Sequence, residues 1–161
     1  MEVFMDIEKF ESTEEYLNQV IKLSRTINNK MLELKQLEEM AYSLHSANCE
    51  QDKVQTSVKA DKIGESIIKI EEAKERLSDT INEYLQIKNK ITQQIESLDK
   101  EILYEILFYR YIVLPDNKRR YSFEEISIKI NNSYRNTTRL HKKALLEFER
   151  KFGNEYLKNC L

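Results

Sequence analysis

The sequence predicts an all-α chain: a long antiparallel helical hairpin or coiled coil followed by a C-terminal helix-turn-helix. Three observations lead there. Gly and Pro together number 3 in 161 residues, far below the one turn per ~8–12 residues that a β-sandwich or barrel needs. Apolar residues recur at heptad spacing over two long stretches, the mark of helices that pack on helices. Charged residues make up 34% and Trp is absent, while the apolar share is 40%; this composition suits long solvated helices and is too apolar for a disordered chain.

Residues 1–11 read as a flexible N-terminus and 12–98 as the long helical module. Ser12-Thr-Glu-Glu15 has the form of a capping box, a hydroxyl to accept free amides and a Glu three residues on. A seam follows: Tyr16, Val20, Leu23, Ile27, Leu34, Leu37, Ala41 and Leu44, interrupted only by Lys30 and widened by Leu17, Ile21, Met31 and Met40. Such a stripe must lie against another helix or stand in water. Ala47 to Ser57 is polar and aperiodic and reads as a loop. Ile63, Ile70, Leu77, Tyr84, Ile91 and Leu98 then stand seven apart, flanked by Ile67, Ile81 and Ile95, a spacing that favours left-handed supercoiling. The two helices pair as a hairpin or with a second chain; a hairpin that also forms a homodimer is expected, because two stripes alone make a thin core.

Residues 99–161 read as a second module. Asp99 is expected to open a helix from Glu101 to about Val113, with the Tyr-rich stretch 104–111 in the core. Leu114 to Tyr121 is a loop, since Pro115 disfavours helical geometry at Leu114. Ser122-Phe-Glu-Glu125 is a second capping box, and Phe123, Ile126 and Ile130 face inward from the short helix it starts. Asn131-Asn132 breaks that helix, Asn being tolerant of left-handed geometry. Ser133 caps a last helix from Tyr134 to Phe152, stopped by Gly153. Its inward stripe is Thr137, Leu140, Ala144, Leu145 and Phe148.

Charge divides along the same line. Residues 1–99 carry 13 Lys and Arg against 20 Asp and Glu, whereas residues 100–161 carry 13 against 8. A basic module behind an acidic one points to an anionic partner. Ser133, Tyr134, Arg135, Asn136, Thr138, Arg139, Lys142 and Lys143 are left on or near the outer face of the last helix, with Lys118, Arg119 and Arg120 in the loop before the helix pair. This is chemistry for duplex DNA: Arg bonds two acceptors of guanine, Asn both edge atoms of adenine, and a helix fits the major groove. Ser133 and the free amides beside it suit phosphate, as does the Lys118–Arg120 run.

The stretch Ser122-Phe-Glu-Glu-Ile-Ser-Ile-Lys-Ile-Asn-Asn-Ser133, followed by Tyr-Arg-Asn-Thr-Thr-Arg-Leu-His-Lys-Lys-Ala-Leu145, resembles region 4 of bacterial sigma factors, and Glu105 to Ile112 resembles the helix preceding it there. The likeness extends to phage-encoded transcription regulators that carry this module after a long helical segment, in which a variable loop precedes a stretch similar to Asp61-Lys-Ile-Gly-Glu-Ser-Ile-Ile-Lys-Ile70. Ser127 stands where such motifs usually have Ala, Asn131 where Gly is frequent, and Asn132 in place of an apolar residue. No counterpart of sigma region 2 precedes it. The resemblance implies a transcription activator or accessory regulator that recruits RNA polymerase at a DNA site.

Other classes find less support in the residues. His45 and Cys49 share a helical spacing that metals use, but no second pair of ligands accompanies them, so no metal or cofactor is expected. His141 reads as a packed or phosphate-facing side chain. No nucleophile elbow or phosphate loop is present, and an enzyme is not expected. Cys49 and Cys160 are too few and too distant for a disulfide framework. Met1 to Asp6 does not have the form of a secretory leader, and Ile102 to Leu114 is too short to cross a bilayer; a cytoplasmic location without membrane contact is expected. Two alternatives stay open: a coiled-coil adaptor that binds a sigma factor or polymerase, and a DNA-packaging recruiter similar to small terminase subunits.

Overall fold

Helix follows helix through the described residues of a computed structural model, which are 10–49, 56–115 and 119–158, the side chains of 44–49 and 56–61 excepted. The elements are α1 (Thr13–Cys49), α2 (Thr56–Glu96), α3 (Glu101–Leu107) continued by a π-helical turn (Phe108–Ile112), α4 (Phe123–Lys129) and α5 (Tyr134–Tyr156). No β-strand occurs among the described residues. The chain divides into two compact units, Met1–Lys22 with Leu85–Leu161, and Leu23–Tyr84.

Two long helices form because their sequences contain nothing to stop them. The expected loop from Ala47 to Ser57 is helical at both edges, to Cys49 and from Thr56; it contains no Gly or Pro, so the helices propagate into it. Residues 50–55 and 1–9 lie outside the described residues. At the start of α1, Ser12 Oγ accepts from the Glu15 amide at 3.2 Å, but the Glu15 carboxylate takes the Glu11 amide at 3.0 Å in place of that of Ser12. The box closes one residue early.

In the Leu23–Tyr84 unit the seam residues Leu23, Ile27, Leu34, Leu37, Ala41, Ile63, Ile70, Leu77 and Tyr84 are half-buried. Ala73 and Thr80 are its fully buried described residues. Lys30, the polar interruption of the α1 seam, donates to the Arg76 carbonyl at 3.1 Å and to Thr80 Oγ1 at 2.6 Å, so the charge is accommodated by α2 backbone and hydroxyl. Met31 and Met40 do not widen the seam; both are exposed, as are Ile67 and Ile81. A two-helix layer has one contact face, and a wider stripe finds nothing to cover it.

The other unit holds the thick core. Tyr16, Leu17, Val20 and Ile21 of α1, Ile91 and Ile95 of α2, Leu98, Leu103, Ile106, Leu107, Tyr111, Ile112, Ile126, Ala144, Phe148 and Tyr156 are buried. Of the Tyr-rich stretch Tyr111 is buried, whereas Tyr104 and Tyr109 are half-exposed. Asp99 does not cap α3: the N-cap is Lys100, without a side-chain bond, and the Asp99 carboxylate faces Lys151 at 3.9 Å. Gly153 does not end α5, which runs on to Tyr156. The reason is packing. Tyr156 stacks on Tyr16 at 4.1 Å between ring centroids and its hydroxyl meets Thr13 Oγ1 at 2.9 Å, and stacking with hydrogen bonding outweighs the weak helix propensity of a single Gly, about 1 kcal/mol. Beyond it, Phe10 and Leu157 form a parallel bridge, with the Phe10 amide donating to the Tyr156 carbonyl at 2.7 Å and the Lys158 amide to the Phe10 carbonyl at 3.1 Å. Phe10, expected in a free N-terminal segment, is thereby tied to the end of α5.

Candidate nucleic-acid interface

The α4–α5 corner is fixed by local chemistry legible in its residues. Ser122 Oγ accepts from the Glu125 amide at 3.3 Å and the Glu125 carboxylate accepts from the Ser122 amide at 2.8 Å, a complete capping box. α4 ends as Asn131 enters the left-handed region at φ 50°, the conformation an Asn tolerates better than other side chains with a Cβ. Asn132 replaces packing with hydrogen bonds: its Oδ1 accepts from the Ser133 amide and from Asn136 Nδ2, each at 2.9 Å. Ser133 Oγ then accepts from the Asn136 amide at 3.2 Å and caps α5.

That corner orients α5. Thr137, His141, Ala144 and Phe148 are buried on one side, Leu140 and Leu145 are half-buried, and Arg135, Arg139, Lys142 and Lys143 are exposed on the opposite side. At 100° per residue the four cations fall within an arc of about 100°. No acidic residue occurs from Tyr134 to Leu146. Ser133 and Tyr134 are exposed at its tip; Thr138 is half-exposed, its hydroxyl returned to the Tyr134 carbonyl at 2.9 Å.

Several of the expected contact residues are engaged within the fold. Asn136 is held at both ends of its amide, Nδ2 on Asn132 and Oδ1 accepting from Arg139 at 2.8 Å; this fixes the Arg139 guanidinium along the exposed face. Arg119 makes a two-pronged pair with the Glu125 carboxylate, at 2.9 and 2.5 Å, so its charge is spent on the capping box. The Arg119 pair and the Ser122 amide together hold the Glu125 carboxyl at a pKa of about 2. Arg120 is half-buried 5.9 Å over the Tyr111 ring. Lys118 lies outside the described residues.

Behind the helix sits a polar cluster that no sequence spacing announces. His141 Nε2 lies 3.0 Å from Tyr111 Oη, which also reaches Glu14 Oε1 at 3.4 Å. Burial first, and then the neighbouring Arg110 guanidinium, lower the His141 pKa to about 4. The imidazole is therefore neutral at pH 7 and packed against Tyr111 and Phe123; it does not face phosphate. Arg110 lies 4.3 Å from the Phe123 ring centroid and donates to the Tyr121 carbonyl, tying the π-helical turn to the start of α4. These partners are 11 to 97 residues apart, which is why residue order alone does not reveal them.

Among the described residues no three His, Cys, Asp or Glu side chains are grouped to hold a metal ion, and no helix is long and apolar enough to cross a membrane. The side chains of His45 and Cys49 lie outside the described residues. Comparison of the chain with protein-family models, with curated proteins and with solved structures finds no match.

Proposed function

We propose that the protein is a sequence-specific, double-stranded-DNA-binding regulator of transcription, acting by recruitment through α4–turn–α5, a helix-turn-helix similar to sigma region 4. The observation that carries this reading is the arc of Arg135, Arg139, Lys142 and Lys143, exposed on α5 opposite its buried face. α5 is the recognition helix. Arg135 and Arg139 read base edges, Lys142 and Lys143 hold phosphate, and the Ser133 hydroxyl and nearby backbone amides anchor the strand at the helix tip. Because Asn136 is braced by Asn132, its part is to aim Arg139.

The long helices form an antiparallel hairpin in this reading. Lys30 meets Thr80, and α1 ends at Cys49 while α2 begins at Thr56. In a parallel pair the connected ends stand about 65 Å apart at 1.5 Å per residue, beyond the ~25 Å reach of the link; antiparallel, they stand within ~10 Å. The hairpin brings two copies together and offers RNA polymerase a surface. The exposed Met31, Leu32, Met40 and Tyr42 of α1 favour a second reading, an adaptor that binds a sigma factor or polymerase through the helices alone.

Selection of bound sequences from random duplex DNA, repeated at two salt concentrations with wild type and Arg135→Glu/Arg139→Glu, separates these. A regulator enriches a motif that the double reversal abolishes, and the two phosphate-holding lysines give a slope of log affinity against log salt of roughly −1.8. An adaptor shows no DNA binding and is indifferent to the double reversal. Salt-dependent binding without an enriched motif overturns sequence-specific regulation and favours the packaging role.

A further inference from the structure

Guanine and adenine present different edges in the major groove, guanine two acceptors at O6 and N7, adenine one acceptor and one donor. A two-pronged cation answers the first and a side-chain amide the second, so the side chains that α5 leaves unengaged decide which base it reads. Asn136 is half-buried and held from both ends, its Nδ2 donating to Asn132 Oδ1 at 2.9 Å and its Oδ1 accepting from Arg139 Nη2 at 2.8 Å. An amide gripped in this way does not swing out to lay oxygen and nitrogen along adenine. The Thr138 hydroxyl spends its hydrogen on the Tyr134 carbonyl at 2.9 Å.

Arg139, by contrast, keeps a full set of prongs. A guanidinium has five N–H groups, arranged as two paired edges that share Nη2 but use different hydrogens of it. The bond to Asn136 takes one Nη2 hydrogen and so closes one edge; the other stays complete. Asn132, which also accepts from the Ser133 amide at 2.9 Å, ties this arrangement to the turn, and Arg139 therefore meets the groove with its side chain already set. Arg135, one turn nearer the helix tip, is exposed on the same face.

We infer that the duplex recognised by α5 carries two G·C pairs one or two steps apart, one guanine read by Arg135 and the other by Arg139. This rests on the DNA-binding function proposed above and names the base edges taken at that site. The spacing follows from two rises. Four residues advance a helix by about 6 Å, which lies between one and two base-pair steps of about 3.4 Å, and residues three apart on a helix in the major groove reach successive bases. Asn136, the residue type suited to adenine, acts here as a positioning residue for an arginine.

Selection from random duplex DNA with the full chain, followed by titration of the selected duplex, tests this. The motif is expected to contain the two G·C pairs at that separation. Replacing either guanine by 7-deazaguanine, which pairs normally but lacks the N7 acceptor, is expected to weaken binding about tenfold, whereas inosine, which keeps O6 and N7, leaves it within about twofold. Arg135→Ala abolishes the 7-deazaguanine penalty at one position and Arg139→Ala at the other. Asn136→Ala keeps the Ser133 cap, which rests on a backbone amide, and is expected to weaken binding roughly two- to tenfold by releasing the Arg139 side chain, with the preference for guanine retained. A motif of A·T pairs, guanines more than two steps apart, indifference to 7-deazaguanine, or an adenine preference that disappears in Asn136→Ala overturns the inference and leaves the regulator reading standing. DNA binding without an enriched motif, or no DNA binding, removes that reading and this one with it.

Discussion

Lowering the pH tests whether His141 is buried as a neutral base. In the folded chain its pKa is about 4, against 6.5 for the free side chain. The sign follows from proton counts: below pH 6.5 the unfolded chain takes up a proton that the folded chain refuses until about pH 4, so acid stabilises the unfolded state. The stability tied to the neutral imidazole is whole above pH 6.5 and drains as pH falls through that window. At ~1.4 kcal/mol per unit, about 2 to 3 kcal/mol is lost by pH 4.5, a large share of the ~5–15 kcal/mol of an ordinary domain. Burial sets most of this depression; Arg110 and Arg120 add to it and Glu14 opposes it. Urea unfolding followed by circular dichroism, at pH 7, 5.5 and 4.5, on wild type and His141→Gln checks the magnitude. The variant starts less stable because Tyr111 loses its ring partner, but its decline between pH 7 and 4.5 is smaller by those 2 to 3 kcal/mol. Equal declines in the two proteins, or an imidazole resonance of His141 titrating near pH 6.5, would refute the argument.

Two further outcomes follow from local structure. Ser122→Ala removes the acceptor for the Glu125 amide and is expected to cost about 1 kcal/mol in urea unfolding, while Ser122→Gly costs only a few tenths. Gly64 lies within α2 with nothing within 4 Å of where a Cβ would stand, so Gly64→Ala is expected to raise stability by about 0.5–1 kcal/mol and to increase helicity in the far-ultraviolet spectrum.

What the sequence discloses is mostly what neighbours in sequence decide. Ser122 with Glu125, Asn131 at the turn and Ser133 as a cap act within four residues, and the structure has them where their chemistry requires. Heptad spacing locates both long helices but not the width of what is covered: Met31 and Ile67 are in phase with a broad stripe yet exposed, since width depends on how many elements crowd round a helix. Gly153 shows the same limit from the other side. Its weak propensity is a local cost, and Tyr156 stacked on Tyr16 is a distant gain that no window around Gly153 contains. The candidate interface divides along this line too. Arg135, Lys142 and Lys143 are exposed as their helical phase requires, whereas Arg119 is drawn off by Glu125 six residues away, across the start of a helix.

The bridge between Phe10 and Leu157 has a consequence for how the protein is made. Tyr16, Leu17 and Val20 leave the ribosome early, but the surface that shelters them ends at Tyr156 and is clasped by Lys158. Until those last turns have emerged, the nascent chain displays a greasy first helix with no permanent cover. The module bearing the cationic face therefore matures only after translation has passed through it, and premature termination before Tyr156 leaves a chain for chaperones and proteases to dispose of.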